Sequence, residues 1–351
     1  MRKAYLVLQD GTVFEGKGFG ATGSCVGELV FNTAVVGYIE SLTDPAYYGQ
    51  ILLQTFPMVG NYGMIEEDVQ GKCCVKGYVV REWCEKPSNF RCEYDLDTYL
   101  KQQGVPGIYG VDTRALTRIL RDKGVQNAII TDTLPADLAI AETYTIEGAV
   151  EAVTTTQTVT YSADQAKYNT VMLDLGVKQS LITELNDVGC SVTLVPASTS
   201  AADILAMKPD GVILSGGPGD PAKNPEIVNQ IGELFGKVPM LAVGLGHQLL
   251  ALSQGGTVIK LPYGHRGGNQ PAKAIGEDAT YITSQNHGYA VVSDTVKTGV
   301  ITFYNLNDNT CEGLEYKDAK AISVQFEPES HSGPRSTAFV FDRFVSLMGG
   351  N

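Results

Sequence analysis

The chain has 351 residues with a formal net charge of −13, and 43% of its residues are hydrophobic while 19% are charged. This composition is typical of a soluble globular protein with a sizeable core, and the length suggests two domains. Because nucleic-acid binding depends on clustered Lys and Arg side chains, and none are clustered here, we expect no nucleic-acid partner.

The sequence also limits location and metal binding. No segment approaches membrane-spanning length and the first apolar run is too short for a signal peptide, so we expect a cytoplasmic protein with no membrane partner. The odd number of cysteines, seven, favours reduced thiols, and their spacing matches no zinc pattern. The four histidines, which are His247, His265, His287 and His331, do not have the spacing of metal ligands either. No metal is therefore predicted.

The first part of the chain, residues 1–153, is predicted to form a mixed α/β domain rich in strands. Asp10-Gly11 suits a type I′ turn, so residues 4–8 and 12–15 are expected to form a hairpin. Short apolar segments indicate further strands at 28–31, 51–55 and 76–81. Helical patterns indicate helices at 95–103 and 113–123.

The second part of the chain has a different pattern. A polar segment rich in Thr and Gln, residues 154–167, has no helical period and is predicted to be a linker. Beyond it, residues 168–351 alternate between strand and helix patterns, which predicts a doubly wound, mostly parallel α/β sheet. The predicted strands are 171–174, 191–195 and 211–214, and the predicted helices are 178–187 and 201–207.

Ligands of open α/β sheets bind beyond the carboxyl ends of the strands, so the segments that follow strands are the candidate site. The strand at 211–214 is followed by a glycine loop, residues 215–219, with the sequence Ser-Gly-Gly-Pro-Gly. The loop lacks the Gly-Lys-Ser/Thr ending of a phosphate-binding loop and the fingerprint of a dinucleotide site. Its remaining functional use is to donate backbone N–H groups to an oxyanion or a carboxylate.

A second segment is a sharp turn between an apolar strand, residues 238–243, and an amphipathic helix that begins at Leu245. In hydrolases a turn of this form projects a nucleophilic Ser or Cys at the helix N-terminus. The central residue here is Gly244, which adopts a positive φ without steric cost but carries no nucleophile. Taken alone, the turn is the ordinary βα turn of a doubly wound sheet.

Two further segments carry polar side chains after apparent strands. Residues 284–289, Ser-Gln-Asn-His-Gly-Tyr, contain amide side chains and a glycine. Residues 324–329 contain two carboxylates, Glu327 and Glu329. Any one of the four segments is most simply explained as a solvated loop, whereas their order and spacing together are uncommon.

In this order the four segments resemble the class I glutamine amidotransferase domain, in the form found in the small subunit of carbamoyl-phosphate synthase. The resemblance covers nearly the whole chain, because residues 37–45, 60–63 and 107–117 resemble the N-terminal domain of that subunit. Members of the family hydrolyse glutamine with a Cys-His-Glu triad and pass ammonia to a large subunit, which makes carbamoyl phosphate. The cysteine thiolate attacks the amide carbon, and the histidine takes and returns the proton.

Carried over to this sequence, the resemblance implies that three functional positions have changed. The cysteine position of the family is Gly244, the histidine position is Glu327, and the glutamate is kept as Glu329. A serine that contacts glutamine in the family is replaced by Ala46. The other glutamine-binding positions are kept, and they are Gly217, Gly219, Leu245, Gln248, Asn286, Gly288 and Tyr289.

The resemblance therefore predicts a small-subunit homologue without its own glutaminase activity, which acts as a structural or regulatory partner of a large subunit that uses free ammonia. Two alternatives stay open: a module that binds glutamine and signals to a partner, and a residual hydrolase that uses Glu327 and Glu329. His331 was weighed as a displaced base, but a base without a nucleophile gains little. No cofactor is expected in this chain, since ATP, Mg²⁺ and bicarbonate belong to the implied large subunit. Both arginine and pyrimidine synthesis stay open as the pathway, as do natural and deliberate loss of the triad.

Overall fold

The structure is a computed structural model that describes residues 2–329 and 333–349. Its internal contacts divide the chain after Glu147 into two compact units. In the described ranges no helix is both long enough and apolar enough to cross a membrane.

The first unit is built around a closed barrel. Its described elements are, in chain order, β1 (Arg2–Leu8), β2 (Val13–Gly20), β3 (Cys25–Asn32), α1 (Tyr38–Leu42), β4 (Gln50–Gln54), β5 (Met58–Val59), β6 (Gly77–Val80), β7 (Glu82–Trp83), α2 (Leu96–Gln102), β8 (Pro106–Tyr109), α3 (Thr113–Lys123), β9 (Gln126–Thr131) and α4 (Ala139–Glu142). Short 3-10 helices lie at Pro45–Tyr47 and Glu66–Asp68. The order around the barrel is β1-β2-β8-β6-β4-β3-β9, and the pairing of β9 with β1 closes it.

Alternate residues of the barrel strands enter two separate apolar clusters, as the period of a strand requires. Ile51 and Val79 belong to a cluster that draws on six of the barrel strands and therefore fills the barrel. Their neighbours Leu52 and Tyr78 belong to a second cluster, which packs outside the strands against α1 and α2. The predicted hairpin is confirmed as β1 and β2, while closure of the strands into a barrel was not predicted.

The second unit contains a sheet of ten described strands. Its elements are α5 (Ala149–Val153), β10 (Val159–Tyr161), β11 (Tyr168–Asp174), α6 (Gln179–Asp187), β12 (Cys190–Pro196), α7 (Ala201–Ala206), β13 (Gly211–Leu214), α8 (Pro225–Leu234), β14 (Met240–Val243), α9 (Leu245–Ser253), β15 (Val258–Ala274), β16 (Thr280–Val291), β17 (Val300–Asn305), β18 (Cys311–Tyr316), β19 (Ala321–Val324) and α10 (Phe339–Gly349). Short 3-10 helices lie at Pro221–Lys223 and Ser293–Thr295.

The centre of this sheet is parallel, in the order β12-β11-β13-β14-β19, which agrees with the predicted alternation of strands and helices. Helices α7, α8 and α9 pack on one face, and α6 and α10 pack on the other. Beyond β19, the strands β18, β17, β15 and β16 extend the sheet with antiparallel pairing. The site described below lies at the carboxyl ends of the parallel strands.

The boundary between the units differs from the predicted one. The units divide after Glu147, whereas the sequence predicts a boundary at 153 and a linker at 154–167. Val150 of α5 is buried in the core of the second unit, so this helix belongs there. Strand β10 lies inside the predicted linker and pairs with β12, with the hydroxyl oxygens of Thr160 and Thr193 3.2 Å apart. β-branched Thr residues suit an edge strand even where the segment is polar throughout.

Leu249 of α9 is fully buried, so we expect Leu249→Ala to lower the free energy of unfolding of the second unit by about 2–5 kcal/mol, because the truncated side chain leaves a cavity. Leu252 of the same helix is only partly buried, and Leu252→Ala serves as the matched control with a clearly smaller loss. Urea unfolding followed by circular dichroism compares the two variants. Equal losses would contradict the inward direction of Leu249.

Candidate functional site

The turn at Gly244 has the geometry of a nucleophile elbow. Gly244 has φ 54° and ψ −112°, close to the first central residue of a type II′ turn, and α9 begins at the next residue. Its N–H donates to the carbonyl oxygen of Val324 at 2.9 Å. Among the residues that the structure describes, a Cβ placed on Gly244 would meet only the Cα of Gly216, at 3.4 Å. The turn therefore keeps its shape and leaves open the place that a nucleophilic side chain would take.

The glycine loop lies directly beside this turn. The N–H of Gly246 donates to the carbonyl oxygen of Ser215 at 3.1 Å. A Cβ on Gly217 would lie 2.0 Å from the carbonyl oxygen of Leu175 and 3.0 Å from the side chain of Leu245. Gly219 has φ 89°, which favours glycine. The glycines thus let the loop pack closely between β11 and α9.

Gln248 of α9 joins the turn to two other segments of the site. Its Nε2 donates to the carbonyl oxygen of Tyr289 at 2.8 Å and to Oε1 of Gln325 at 2.9 Å. Both amide hydrogens are therefore used inside the protein, and the group left for a ligand is the carbonyl oxygen. The role of Gln248 in this structure is first of all to hold the site together.

The segment 284–289 does not follow a strand as predicted, because it lies inside β16. β16 pairs with β15 in a long antiparallel ribbon at the other end of the sheet, and this ribbon brings the segment to the site. Asn286 and Gly288 are half-buried and alternate with buried Gln285 and His287, so one face of the strand is turned inward. Asn286, Gly288 and Tyr289 therefore reach the site as strand residues rather than as a loop.

The two carboxylates follow β19 and share one lysine. Nζ of Lys178 lies 2.8 Å from Oε2 of Glu327 and 2.9 Å from Oε1 of Glu329. The side chain of Glu329 is 1% exposed, that of Lys178 14% and that of Glu327 18%. The N–H of Glu327 also donates to the carbonyl oxygen of Ser284 at 2.9 Å. The charged centre of the site is thus a lysine with two carboxylates rather than an acid–base pair.

Lys178 occupies this place because of the turn that follows β11. Oδ1 of Asp174 accepts hydrogen bonds from the N–H groups of Gly176 and Val177, which turns the chain sharply before α6 begins. Lys178 is the N-cap residue of α6 and leaves the same edge of the sheet as Gly244. The sequence predicts only a helix start at Lys178, although a charged residue soon after a predicted parallel strand is a signal for a site residue.

Three further positions from the sequence are Ala46, His331 and His247. Ala46 lies in the 3-10 helix Pro45–Tyr47 of the first unit, where its N–H donates to Oδ1 of Asp44 at 2.9 Å. His331, weighed as a displaced base, lies outside the residues that the structure describes. His247 is fully buried, burial lowers its pKa to about 3, and its Nδ1 lies 2.8 Å from Oγ of Ser323. His247 is therefore a neutral core residue.

A polar network behind the inner face of β16 was missed by the sequence analysis. His265, His287 and Glu312 bring ligand-type atoms within 4.8 Å of one another. Hydrogen bonds already engage all three: Gln285 Nε2 and Asn305 Nδ2 each donate to Glu312 at 2.9 Å. Since a metal ion would have to replace these bonds, the expectation of no metal stays a prediction.

His265 carries the charge of this network. Burial acts to lower its pKa, but hydrogen bonds and charges from Asp308 and Glu312 outweigh burial and raise the pKa to about 9. Nε2 of His265 lies 2.9 Å from Oδ2 of Asp308. Partial burial acts to raise the pKa of Asp308, and the bonds from His265 and Thr310 lower it to about 2. An ion pair between buried His265 and exposed Asp308 therefore supports the strand that carries Asn286 and Gly288.

The cysteines of the second unit, Cys190 and Cys311, lie in β12 and β18 and not at the turn. All seven cysteines lie in the described ranges and are unpaired thiols. Burial raises the pKa of Cys190 to about 11 and the pKa of Cys311 to about 12, so these thiols stay protonated. Cys25 and Cys73 are similarly raised by burial, to about 12 and about 11.

Comparison with known families first defines the class of protein. Residues 171–347 match the family model described as glutamine amidotransferase class-I, so the second unit is a domain of that class. Residues 6–130 match the model of the carbamoyl-phosphate synthase small chain, CPSase domain. The chain as a whole belongs to the carbamoyl-phosphate synthase small chain family, and the resemblance predicted from the sequence is confirmed at that level.

Relatives match over the full length of the chain. The carbamoyl phosphate synthase small chain of Syntrophotalea carbinolica is 45% identical, over 99% of this chain and 98% of that protein. The small chain of Clostridium perfringens is 45% identical, over 98% and 99%. The carbamoyl phosphate synthase pyrimidine-specific small chain of Lactiplantibacillus plantarum is 43% identical, over 99% and 97%.

Replacing Gly217 by alanine tests the packing of the glycine loop. Because the added Cβ would lie 2.0 Å from a backbone oxygen, we expect Gly217→Ala to lower the free energy of unfolding by about 1–3 kcal/mol. Gly216→Ala is the matched control, since a Cβ on Gly216 meets no atom within 4 Å. Thermal unfolding measures both variants, and equal melting temperatures would contradict the close packing of the loop.

The His265–Asp308 pair predicts a dependence of stability on pH. Since the pKa of His265 is raised from 6.5 to about 9 in the folded protein, its stabilisation is full below 6.5 and is lost as the pH rises through 9. We expect the native chain to lose about 2–3 kcal/mol of unfolding free energy from neutrality through that range, relative to Asp308→Asn. Urea unfolding at several pH values measures the difference, and identical pH profiles would exclude the charged pair.

Proposed function

We propose that this chain is a small subunit of carbamoyl-phosphate synthase that has no glutaminase activity of its own and that supports a large subunit using free ammonia. The observation that carries the proposal is Gly244. The elbow has the backbone geometry that presents a nucleophile, but no side chain is attached at its central residue. A covalent glutamyl intermediate cannot form there.

The histidine position of the family adds to this argument. Glu327 stands there, and one of its carboxylate oxygens pairs with Lys178 at 2.8 Å. A carboxylate that is engaged by an ammonium group is a weaker base toward water than a free one. Hydrolysis by direct attack of water, activated by Glu327 or Glu329, is therefore disfavoured. When nucleophile and base are both removed from a hydrolase, rates fall by about 10⁶-fold.

In the proposed complex the partner performs the synthesis. The large subunit would bind ATP, Mg²⁺ and bicarbonate and would take ammonia from solution. This chain would contribute a folded amidotransferase scaffold that stabilises or regulates its partner. Carbamoyl phosphate feeds both arginine and pyrimidine synthesis, and both pathways remain compatible with this role.

A second candidate function is a glutamine-binding module. It is favoured by the open place at Gly244, by the glycine loop around Gly217 and by the half-buried Asn286 and Gly288, because these leave polar groups that an amino acid could contact. Calorimetry with millimolar glutamine tests this candidate. An absence of heat would exclude it without affecting the proposal above.

The proposal predicts that the assembled pair makes carbamoyl phosphate from ammonium and not from glutamine. The purified chain, with and without its large subunit, should release no glutamate above the buffer level. Restoring the family residues with Gly244→Cys, Glu327→His and Ala46→Ser should raise glutamate release, because the backbone geometry of the elbow is intact. Glutamate release and carbamoyl phosphate formation are measured on the same samples.

The control is the double variant Glu327→His with Ala46→Ser, which restores the base position but supplies no thiol. It should stay inactive, because covalent catalysis needs the nucleophile. A native glutamine-dependent rate comparable to the ammonium-dependent rate would overturn the proposed function.

A further inference from the structure

We propose that four buried side chains of the second unit, His265, Gln285, His287 and Glu312, form a binding site for a zinc ion or a similar divalent transition-metal ion. The ion would be structural, because it would tie β18 to the paired strands β15 and β16. This inference goes beyond the proposed function and does not depend on it. It opposes the expectation of no metal, which rested on the spacing of residues along the sequence.

The strands bring these side chains to one place. His265 of β15 lies directly opposite His287 of β16 in the antiparallel pairing, so the two rings lie on the same face of the ribbon. Their ring centroids are 4.9 Å apart. Glu312 reaches them from β18, and its side chain is fully buried. A site built on the strands of one sheet is held more precisely than a site built on loops.

The amide group of Gln285 is oriented so that its oxygen faces both histidines. Nε2 of Gln285 donates to Oε2 of Glu312 at 2.9 Å and to Oγ1 of Thr283 at 3.0 Å. Its Oε1 lies 3.1 Å from Nδ1 of His265 and 2.9 Å from Nε2 of His287. An amide oxygen can only accept, so each of these contacts needs a hydrogen or another positive centre on the side of the histidine.

The outer nitrogen of each ring also faces an oxygen acceptor. Nε2 of His265 lies 2.9 Å from Oδ2 of Asp308. Nδ1 of His287 lies 2.8 Å from the carbonyl oxygen of Tyr289. A neutral histidine has one N–H, so hydrogens at all four contacts would require two cationic rings side by side.

A metal ion removes this conflict between the two rings. Each ring keeps its N–H toward the outer oxygen and offers the lone pair of its inner nitrogen to the ion. Metal-binding histidines are commonly held in this way, by a hydrogen bond from the other ring nitrogen to a carboxylate or a backbone carbonyl. Asp308 and Tyr289 supply one acceptor of each kind.

The distances between the donor atoms suit tetrahedral coordination. Zinc binds nitrogen and oxygen at about 2.0–2.1 Å, so the ligand atoms of a tetrahedral site lie about 3.3 Å apart. Oε1 of Gln285 lies 2.9 and 3.1 Å from the two inner histidine nitrogens, and Nδ1 of His265 lies 3.6 Å from Oε1 of Glu312. Small movements of these side chains therefore bring four donors around one ion.

The donor set favours zinc over Mg²⁺ or Ca²⁺. Imidazole nitrogens suit zinc and its neighbours among the transition metals, whereas Mg²⁺ and Ca²⁺ take oxygen ligands and need six or more of them. Binding also has a cost, because the ion would displace the hydrogen bond from Nδ2 of Asn305 to Oε1 of Glu312 and any proton on Nδ1 of His265. The four coordinate bonds replace what is lost.

Zinc titration of the full chain tests the inference. The chain is stripped with a chelator and titrated in a calorimeter at pH 8, because deprotonated imidazole is the form that binds metal. We expect one zinc ion per chain and a melting temperature that rises with zinc concentration. Co²⁺ in place of zinc should give the visible absorption of a tetrahedral site. Near-ultraviolet bands of cobalt–thiolate bonds would instead assign the metal to the cysteines.

Two variants distinguish a ligand from its outer partner. Asp308→Asn keeps the four ligands and changes only the outer partner of His265, so it should weaken zinc binding by about 10–100-fold. Glu312→Gln removes a ligand and should weaken binding further. Glu315→Gln is the matched control, because Glu315 lies on the same strand and pairs with Arg343, and it should bind zinc as the native chain does.

Three results would overturn the inference: no saturable zinc binding, cobalt–thiolate bands in the native chain, or native zinc affinity in Glu312→Gln. If Glu312→Gln does not fold, Asp308→Asn decides, and native affinity in that variant contradicts the site. These measurements do not involve carbamoyl phosphate synthesis, so the inference and the proposed function fail or stand separately.

Discussion

The parallel pairing of β14 with β19 is the constraint on which the candidate site depends. With Val243 opposite Val324, the turn at Gly244 and the segment that carries Glu327 leave the sheet at one edge. The hydrogen bond from the N–H of Gly244 to the carbonyl oxygen of Val324 extends this pairing into the turn itself. The glycine loop, β16 and Lys178 each bond to the segments that follow these two strand ends.

The glycine loop and β16 are attached mostly by backbone groups and by the side chain of Gln248, rather than by the side chains of the triad positions Gly244, Glu327 and Glu329. Gly246 bonds to the carbonyl of Ser215, and Glu327 bonds through its backbone to Ser284. Gln248 reaches both β16 and the segment after β19. Backbone hydrogen bonds do not depend on which side chain a residue carries, so this architecture does not require a Cys at Gly244 or a His at Glu327.

The proposed loss of the triad would also change the electrostatics of the site. A thiol and an imidazole exchange protons near neutral pH, whereas Glu327 brings a negative charge beside the one already present on Glu329. Nζ of Lys178 lies within 3 Å of both carboxylates and attracts each of them. These ion pairs explain how the three charged side chains are held together, whether or not the site acts on glutamine.

A large part of this molecule follows from local sequence pattern. Neighbouring residues predict the β1–β2 hairpin, the alternation of strands and helices after residue 168 and the turn at Gly244. The sequence also shows that no nucleophile stands at the centre of that turn. Tertiary structure decided four other features. They are the closure of the barrel, the strand β10 inside the predicted linker, the placement of 284–289 within β16, and the pairing of Lys178 with Glu327 and Glu329. Periodicity and turn chemistry act over a few residues, so they appear in the sequence. Strand register and contacts between residues far apart in the chain depend on how whole elements pack, and the chain must fold before they exist.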